Sequence, residues 1–319
     1  MKEFLELKDG SVFNSTPANG NIVIYSLPND AEKKEITQTL NLDYHAIESA
    51  LDPDEISRVE FNSDHLYIIW KRPNTTSFKE LLKFEVSSLG IYLKGDRLTL
   101  ILGENSTPFT AKEFNKIASL NGVILSFLLH TIHHFFGHLK VIRQINGELQ
   151  SKLNLSMENR YLLHMFNLSE SLIYYLNALQ ANASVLTKLY SLADKIGLSK
   201  DEIEMFDDIM IEHQQCSKQV EIYSSVLSGL MDARGNIINN NMNILLRNLT
   251  LINVVFLPLN LIAGIGGMSE YTRLTESIID WKMAYGFFLI GMIILGIATW
   301  LLLVHQIKKQ KIVKEKDFR

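Results

Sequence analysis

Two stretches near the end of the chain carry no charged residue: 248–269 and 283–304, each 22 residues long. That length matches the ~20 residues needed to cross a hydrocarbon core about 30 Å thick, so the pattern predicts two transmembrane helices. Upstream, residues 111–155 and 158–195 read as long helices. Gly197 breaks the pattern, and Ser199 followed three positions later by Glu202 is the sign of a capping box opening a third helix. No proline lies between Pro108 and Pro258, and one inside a helix costs roughly 3 kcal/mol. Gly229 and Gly235 weaken the third helix without ending it. It is therefore expected to run into the first span, about 100 Å at about 1.5 Å per residue. A single helix that long does not stabilise itself, so self-association is expected.

The first third has another texture and holds five of the six prolines. Residues 21–27 form a β-rich run closed by Pro28, and 60–70 and 82–102 read as strands, with turn residues at 62–64, 94–96 and 103. Residues 39–60 read as helical with Pro53 as a start signal. The fold class expected is α+β: a mixed sheet with long helices, then a stalk helix and two transmembrane helices. The corresponding segments are 1–110 (α/β domain), 111–197 (helical region), 198–268 (stalk and first span), 269–282 (outer loop), 283–305 (second span) and 306–319 (basic tail).

Charge sets the orientation and removes several functions. The tail holds Lys308, Lys309, Lys311, Lys314, Lys316 and Arg319 against Glu315 and Asp317, whereas the connection between spans holds Glu270, Glu276 and Asp280 against Arg273 and Lys282. Positive-inside bias then puts both termini in the cytoplasm and the short loop outside, in a multi-pass inner (plasma) membrane protein. The N-terminus is charged every few residues and is no secretory signal. A net charge of −4 gives no basic face for nucleic acid. The single Cys216 excludes an internal disulfide and a cysteine zinc framework. A phosphate-binding Gly-x-x-x-x-Gly-Lys-Ser/Thr loop is absent, so no nucleotide is expected, and no catalytic triad or paired-carboxylate motif argues for an enzyme.

The first span carries the candidate chemistry. Stepping back from Gly264 by alternate fours and threes meets Asn260, Leu257, Asn253, Thr250, Leu246, Asn243, Asn239 and Asn236, six of the eight being Asn or Thr. This is a heptad seam. An asparagine in hydrocarbon is costly unless hydrogen-bonded. Two readings stand: the amides are adhesive between helices of a non-conducting, membrane-anchored sensor, or they line a water-filled path with Leu246 and Leu257 closing it by dewetting. The stripe has no carboxylate, which suits an ion that keeps its water, as magnesium does. The outer end of this helix is its C-terminus, whose free carbonyls favour a cation.

The run from Leu257 through Pro258, Asn260, Ala263, Gly264, Ile265, Gly267 and Met268 to Tyr271 resembles the CorA family of divalent-cation channels, which includes the ZntB zinc transporters. The family pattern is a proline, then Ala-Gly-Ile-x-Gly-Met-Asn, a short acidic loop, a tryptophan (here Trp281) and a second span. The stretch from Leu42 to Pro53 is similar to the family's cytoplasmic domain. The resemblance implies a homopentameric funnel moving hydrated Mg²⁺, and also Co²⁺, Ni²⁺ or Zn²⁺, down the electrochemical gradient, with no cofactor. A ZntB-like proton-coupled zinc transporter is the alternative. It further implies pore residues Asn243 and Gly264, a hydrophobic gate at Leu249 and Leu257, and a regulatory Mg²⁺ acid at Asp208 beside Asp207, near Glu204 and Glu212, with Glu85 or Asp96 as candidate partners. Asn243, Leu257 and Gly264 also lie on the stripe found by periodicity; Leu249 is one position off it. The entrance departs from the family, reading Gly267, Met268, Ser269 and Glu270 where the family has Gly-Met-Asn, and this leaves the selected ion open. Finally, His130, His133, His134 and His138 crowd one helix and offer either a transition-metal site or an ordinary helix surface.

Overall fold

The computed structural model describes residues 1–62, 64–74, 83–104, 109, 114, 116–155, 159–276, 278 and 280–317. The chain divides into two compact units, Met1–Asp232 and Ala233–Arg319.

The first unit is built on a seven-stranded mixed sheet of β1 (Lys2–Lys8), β2 (Ser11–Asn14), β3 (Ile22–Ser26), β4 (Arg58–Phe61), β5 (His65–Pro73), β6 (Val86–Lys94) and β7 (Arg97–Leu102). Their order is β2-β1-β3-β7-β6-β5-β4, with only β3 and β7 parallel. Helices cover both faces, so the central strands are apolar on both sides and their alternation is one of size and partner. Ile22, Ile24, Leu66, Ile68 and Trp70 belong to one core. Val23, Tyr25, Tyr67 and Ile69 belong to the other, beneath α1 (Asp30–Leu40) and α2 (Tyr44–Leu51).

The larger core is closed by α3 (Leu120–Leu155), α4 (Asn159–Ser191), the single turn α5 (Ala193–Ile196) and the first part of α6 (Lys200–Gly266). Trp70 Nε1 donates to Thr131 Oγ1 of α3 at 2.7 Å. Asn182 of α4 lies fully buried against β5: its Oδ1 accepts from the Lys71 N–H at 3.0 Å and from Ser57 Oγ at 3.0 Å, and its Nδ2 donates to the Lys71 carbonyl at 2.8 Å. Strand β4 pairs with β5 only as far as Arg58 opposite Ile69. The Asn182 amide therefore continues the ladder beyond the end of that strand, satisfying backbone groups that could not be left unpaired in the interior.

Several sequence expectations are met and several are corrected. The capping box opens α6 as expected: Ser199 N–H donates to Glu202 at 2.7 Å and Glu202 N–H to Ser199 Oγ at 3.3 Å. Glu202 also accepts from Ser119 Oγ, which itself takes the Gly122 N–H at the start of α3. Burial alone would raise the Glu202 carboxyl, but the bonds from Ser119, Ser199 and Gly122 outweigh it and hold the group below its usual range.

The single helix expected over 39–60 is two shorter ones. Asn41 turns left-handed (φ 53°) and ends α1, and Asp52 is extended ahead of Pro53, which starts nothing. The hairpin β1–β2 was not expected. Its turn is Asp9-Gly10, both at positive φ (50° and 79°), as a two-residue type I′ turn requires. The helix expected from 111 begins only at Leu120, residues 116–119 being non-helical; residue 111 itself and the side chains of the basic tail lie outside the described residues.

In the second unit, α6 continues to Gly266 with Pro258 inside it, and α8 runs from Trp281 to Asp317. Between them lies α7 (Ser269–Glu276), so the outer connection expected as a loop contains a helix of its own. By length and composition α6 and α8 can each cross a membrane. Helix α3 also meets those criteria, but two thirds of its apolar window is packed inside the first unit.

Candidate functional site

Along the second unit's part of α6, burial follows helical periodicity. Leu251, Val255, Pro258, Leu259 and Ile262 are half-buried and Gly266 is buried, while most other positions are exposed. These six face α8, where Ala284 is buried and Phe288, Met292, Leu295, Gly296 and Thr299 are half-buried. A Cβ added at Gly296 would stand 3.5 Å from Leu259, and the Tyr285 hydroxyl reaches the Gly266 carbonyl at 3.0 Å, fixing an antiparallel pair.

The polar stripe is on the other side of α6. Asn243, Thr250, Asn253, Leu257, Asn260 and Gly264 are all exposed, and at about 100° per residue their mean direction lies roughly 160° round the helix from the α8 face. Leu246 shares that direction and is exposed, whereas Leu249, also exposed, is displaced by roughly 70° from the stripe. The amides thus take no part in packing the two spans together. Thr250 Oγ1 donates back to the Leu246 carbonyl at 2.9 Å, so the hydroxyl presents its acceptor side and the asparagines supply the free donors.

At the C-terminal end of α6, Gly267 N–H bonds the Ala263 carbonyl at 3.0 Å and Met268 N–H the Ile265 carbonyl at 3.1 Å. With Tyr285 on Gly266, the Gly264 carbonyl on the polar face is left without a donor among the described residues. Gly264 has open space where a Cβ would be, and Met268 is exposed. Ser269 opens α7 and its Oγ donates to Glu270 at 3.3 Å, so the serine and the carboxylate act as one polar unit.

The remaining candidates lie in the first unit. Asp207 and Asp208 are exposed on α6, as is Glu204. Glu212 is engaged by His133 at 2.7 Å and Glu85 by Lys83 at 3.8 Å, while Asp96 borders a cavity of about 560 Å³ with Lys8, Asp9, Asn21 and Asn121. Among the described residues no three His, Cys, Asp or Glu side chains gather in a metal-holding group, so one copy of the chain does not assemble the expected regulatory site.

Of the clustered histidines, His133 pairs with Glu212, while His134 and His138 are packing groups. His138 is buried, hydrogen-bonded to the Tyr175 hydroxyl and stacked on that ring, with Phe84 and His134 against its edges. Burial pushes His138 down to about 3, and His134 down to about 4 with help from the Arg72 charge. His213 of α6, beside Trp70, is likewise pushed by burial to about 4. The ordinary-surface reading of this cluster fails for His138 because α4 covers it.

Sequence reasoning missed Tyr285, Phe288 and Gly266. Their signal was the glycine pair ending α6: a Cβ at Gly266 would stand 2.8 Å from two carbons of the Phe288 ring, so any side chain there would have to displace that ring.

A family profile described as CorA-like Mg²⁺ transporter protein matches residues 19–309. The chain is 26% identical over 251 residues to the cobalt/magnesium transport protein CorA of Methanocaldococcus jannaschii, covering 76% of this chain and 77% of that protein. To the Thermotoga maritima protein of the same name it is 23% identical over 273 residues, covering 83% and 75%. Its fold is similar to the complete structure of the CorA magnesium transporter from M. jannaschii, with TM-score 0.72, 19% identity and 96% of each chain covered. A sheet domain, a 67-residue helix, a second apolar helix antiparallel to its end and a match running through nearly the whole length lead to one assignment: this chain belongs to the CorA family of Mg²⁺ transporters.

Proposed function

We propose that copies of this chain, five in the family's manner, gather around an axis and turn the amide stripe of α6 inward to line a path for hydrated divalent cations. The observation that carries this reading is the opposition of two faces on one helix. The side of α6 toward α8 is apolar and partly covered, while Asn243, Thr250, Asn253, Asn260 and Gly264 are exposed roughly 160° away. Amides facing lipid would be unsatisfied at a cost of several kcal/mol; amides facing water around an axis are not.

Self-association has separate support. From Ile237 to Leu249, α6 exposes Ile237, Ile238, Met242, Ile244, Leu245, Leu246 and Leu249, more apolar surface than a lone helix keeps in water.

The division of labour follows from the residue types. Asn243, Asn253 and Asn260 exchange hydrogen bonds with the ion's hydration water. Rings of Leu246 and Leu257, with Leu249 beside them, close the path by dewetting. Gly267, Met268, Ser269 and Glu270 form the outer entrance, where the partial negative charge of the helix end meets the cation. The ion is Mg²⁺ first, with Co²⁺ and Ni²⁺ following. At about 100 mV, negative inside, a doubly charged ion gains roughly 4.6 kcal/mol on entry, so no nucleotide is needed. Asp207 and Asp208 bind the same ion between neighbouring copies and hold the closed state; its loss leaves like charges facing one another.

Flux of Mg²⁺, Co²⁺, Ni²⁺ and Zn²⁺ into liposomes holding the full-length protein tests this. Mg²⁺ uptake independent of a pH step is expected. Zinc flux that requires a pH gradient would replace this reading with proton-coupled zinc transport, and no flux from an intact oligomer would leave the amides as adhesive only.

A further inference from the structure

We propose that Tyr285 is a positioning residue for ion discrimination: by holding the Gly266 carbonyl it fixes the rotation of the last turn of α6. This rests on the transport reading above. The geometry comes entirely from the second unit. Gly266 is the last residue of α6 and is buried, its carbonyl takes the Tyr285 hydroxyl at 3.0 Å, and the ring of Phe288 lies where any side chain at 266 would go. Two neighbouring carbonyls are closed by the turn at Gly267 and Met268. Of the last four carbonyls, only that of Gly264 takes no donor among the described residues, and it belongs to the amide face.

The hydroxyl of α8 and the open carbonyl of α6 are therefore coupled through one rigid turn. If the Gly266 peptide rotates, so does the Gly264 carbonyl, and Ser269 and Glu270, three and four residues after Gly266, move with it. A buried carbonyl that loses its donor turns to find another, so removing one oxygen atom from Tyr285 releases the turn without altering the apolar contact of the ring.

The test uses the full-length protein in liposomes and compares wild type, Tyr285→Phe and Phe288→Ala. The Mg²⁺-to-Co²⁺ flux ratio is expected to move about 2- to 13-fold toward unity in Tyr285→Phe, the loss of one hydrogen bond at roughly 0.5–1.5 kcal/mol. Phe288→Ala moves it the same way, with the oligomer intact by cross-linking in both. Amide hydrogen exchange at Gly267 and Met268 is expected to quicken in Tyr285→Phe, whether or not ions pass. Unchanged ratio and unchanged exchange in an intact oligomer overturn the proposal, as does disassembly of Tyr285→Phe, which would make the residue purely structural. Wild type that passes no divalent ion removes the transport reading instead, and exchange at Gly267 and Met268 then decides the latch alone.

Discussion

Replacing Asn253 with leucine separates a conducting stripe from an adhesive or lipid-facing one. The side chain is exposed on the face of α6 away from α8, so the change leaves the packing of the two spans untouched and makes the helix more apolar. Its neighbours on the stripe are Thr250, whose hydroxyl donates to the Leu246 carbonyl, Leu257 and Asn260. Without Asn253, an ion travelling from Thr250 to Asn260 crosses about 15 Å with no side-chain amide. Two lost hydrogen bonds to hydration water at about 1 kcal/mol each raise the barrier by about 2 kcal/mol, a fall in flux of about 30-fold. Entrapped Mg²⁺ indicator in liposomes reads the rate, and cross-linking reads the assembly. Flux within about a factor of two of wild type in an intact oligomer would refute the reasoning, because 2 kcal/mol cannot hide in such a measurement. Dissociation would identify the amide as glue.

Three further outcomes are expected. Asn182→Ala strips the buried Lys71 N–H and carbonyl of their partners and should lower unfolding stability by about 3 kcal/mol, read from chemical denaturation of the full chain; a loss under about 1 kcal/mol would mean that water replaces the amide. Acid should loosen the first unit: His213 and His134 are held near 4 and His138 near 3 by burial, so as pH falls below the unfolded value near 6.5 the unfolded chain takes up protons that the folded chain refuses. Stability then drops by up to about 1.4 kcal/mol per pH unit for each group until its folded pKa is reached. Melting curves between about pH 7 and about pH 5 should show a shallower slope for His213→Gln; an equal slope would assign the effect elsewhere. Lastly, chelating Mg²⁺ should speed proteolysis of wild type but leave Asp207→Asn/Asp208→Asn unchanged, since the variant has no regulatory carboxylates to release; an equal response in both would place the sensing elsewhere.

What the sequence made legible was whatever one helix or one turn decides locally. The capping box at Ser199 and Glu202, the absence of proline up to Pro258 and the charge-free runs are short-range signals, and α6 and α8 follow them. The amide stripe was legible because its period is that of the helix. Asp9-Gly10 carried a hairpin signal as direct as any, but Lys2, Glu3, Glu6 and Lys8 masked the alternation of β1, which is half-exposed along most of its length one strand in from the sheet's edge. Pro53 misled because proline serves both helix starts and the ends that precede it, and only the left-handed Asn41 and extended Asp52 decide between them. The hydroxyl of Tyr285 on Gly266 joins residues 19 positions apart across two helices, and no periodicity within either one encodes it.

Helix α3 bears on how the chain is made. Among the described residues it is the first of three helices long and apolar enough to cross a bilayer, and the least apolar of them. It therefore leaves the ribosome before α6 and α8. Its apolar side covers the sheet through Val123, Phe127, Ile132 and Phe135, and His130, His134 and His138 make the same stretch less apolar. Exchanging those three for leucine would favour insertion of α3, and an α3 that inserted would reverse the sense in which α6 enters the membrane.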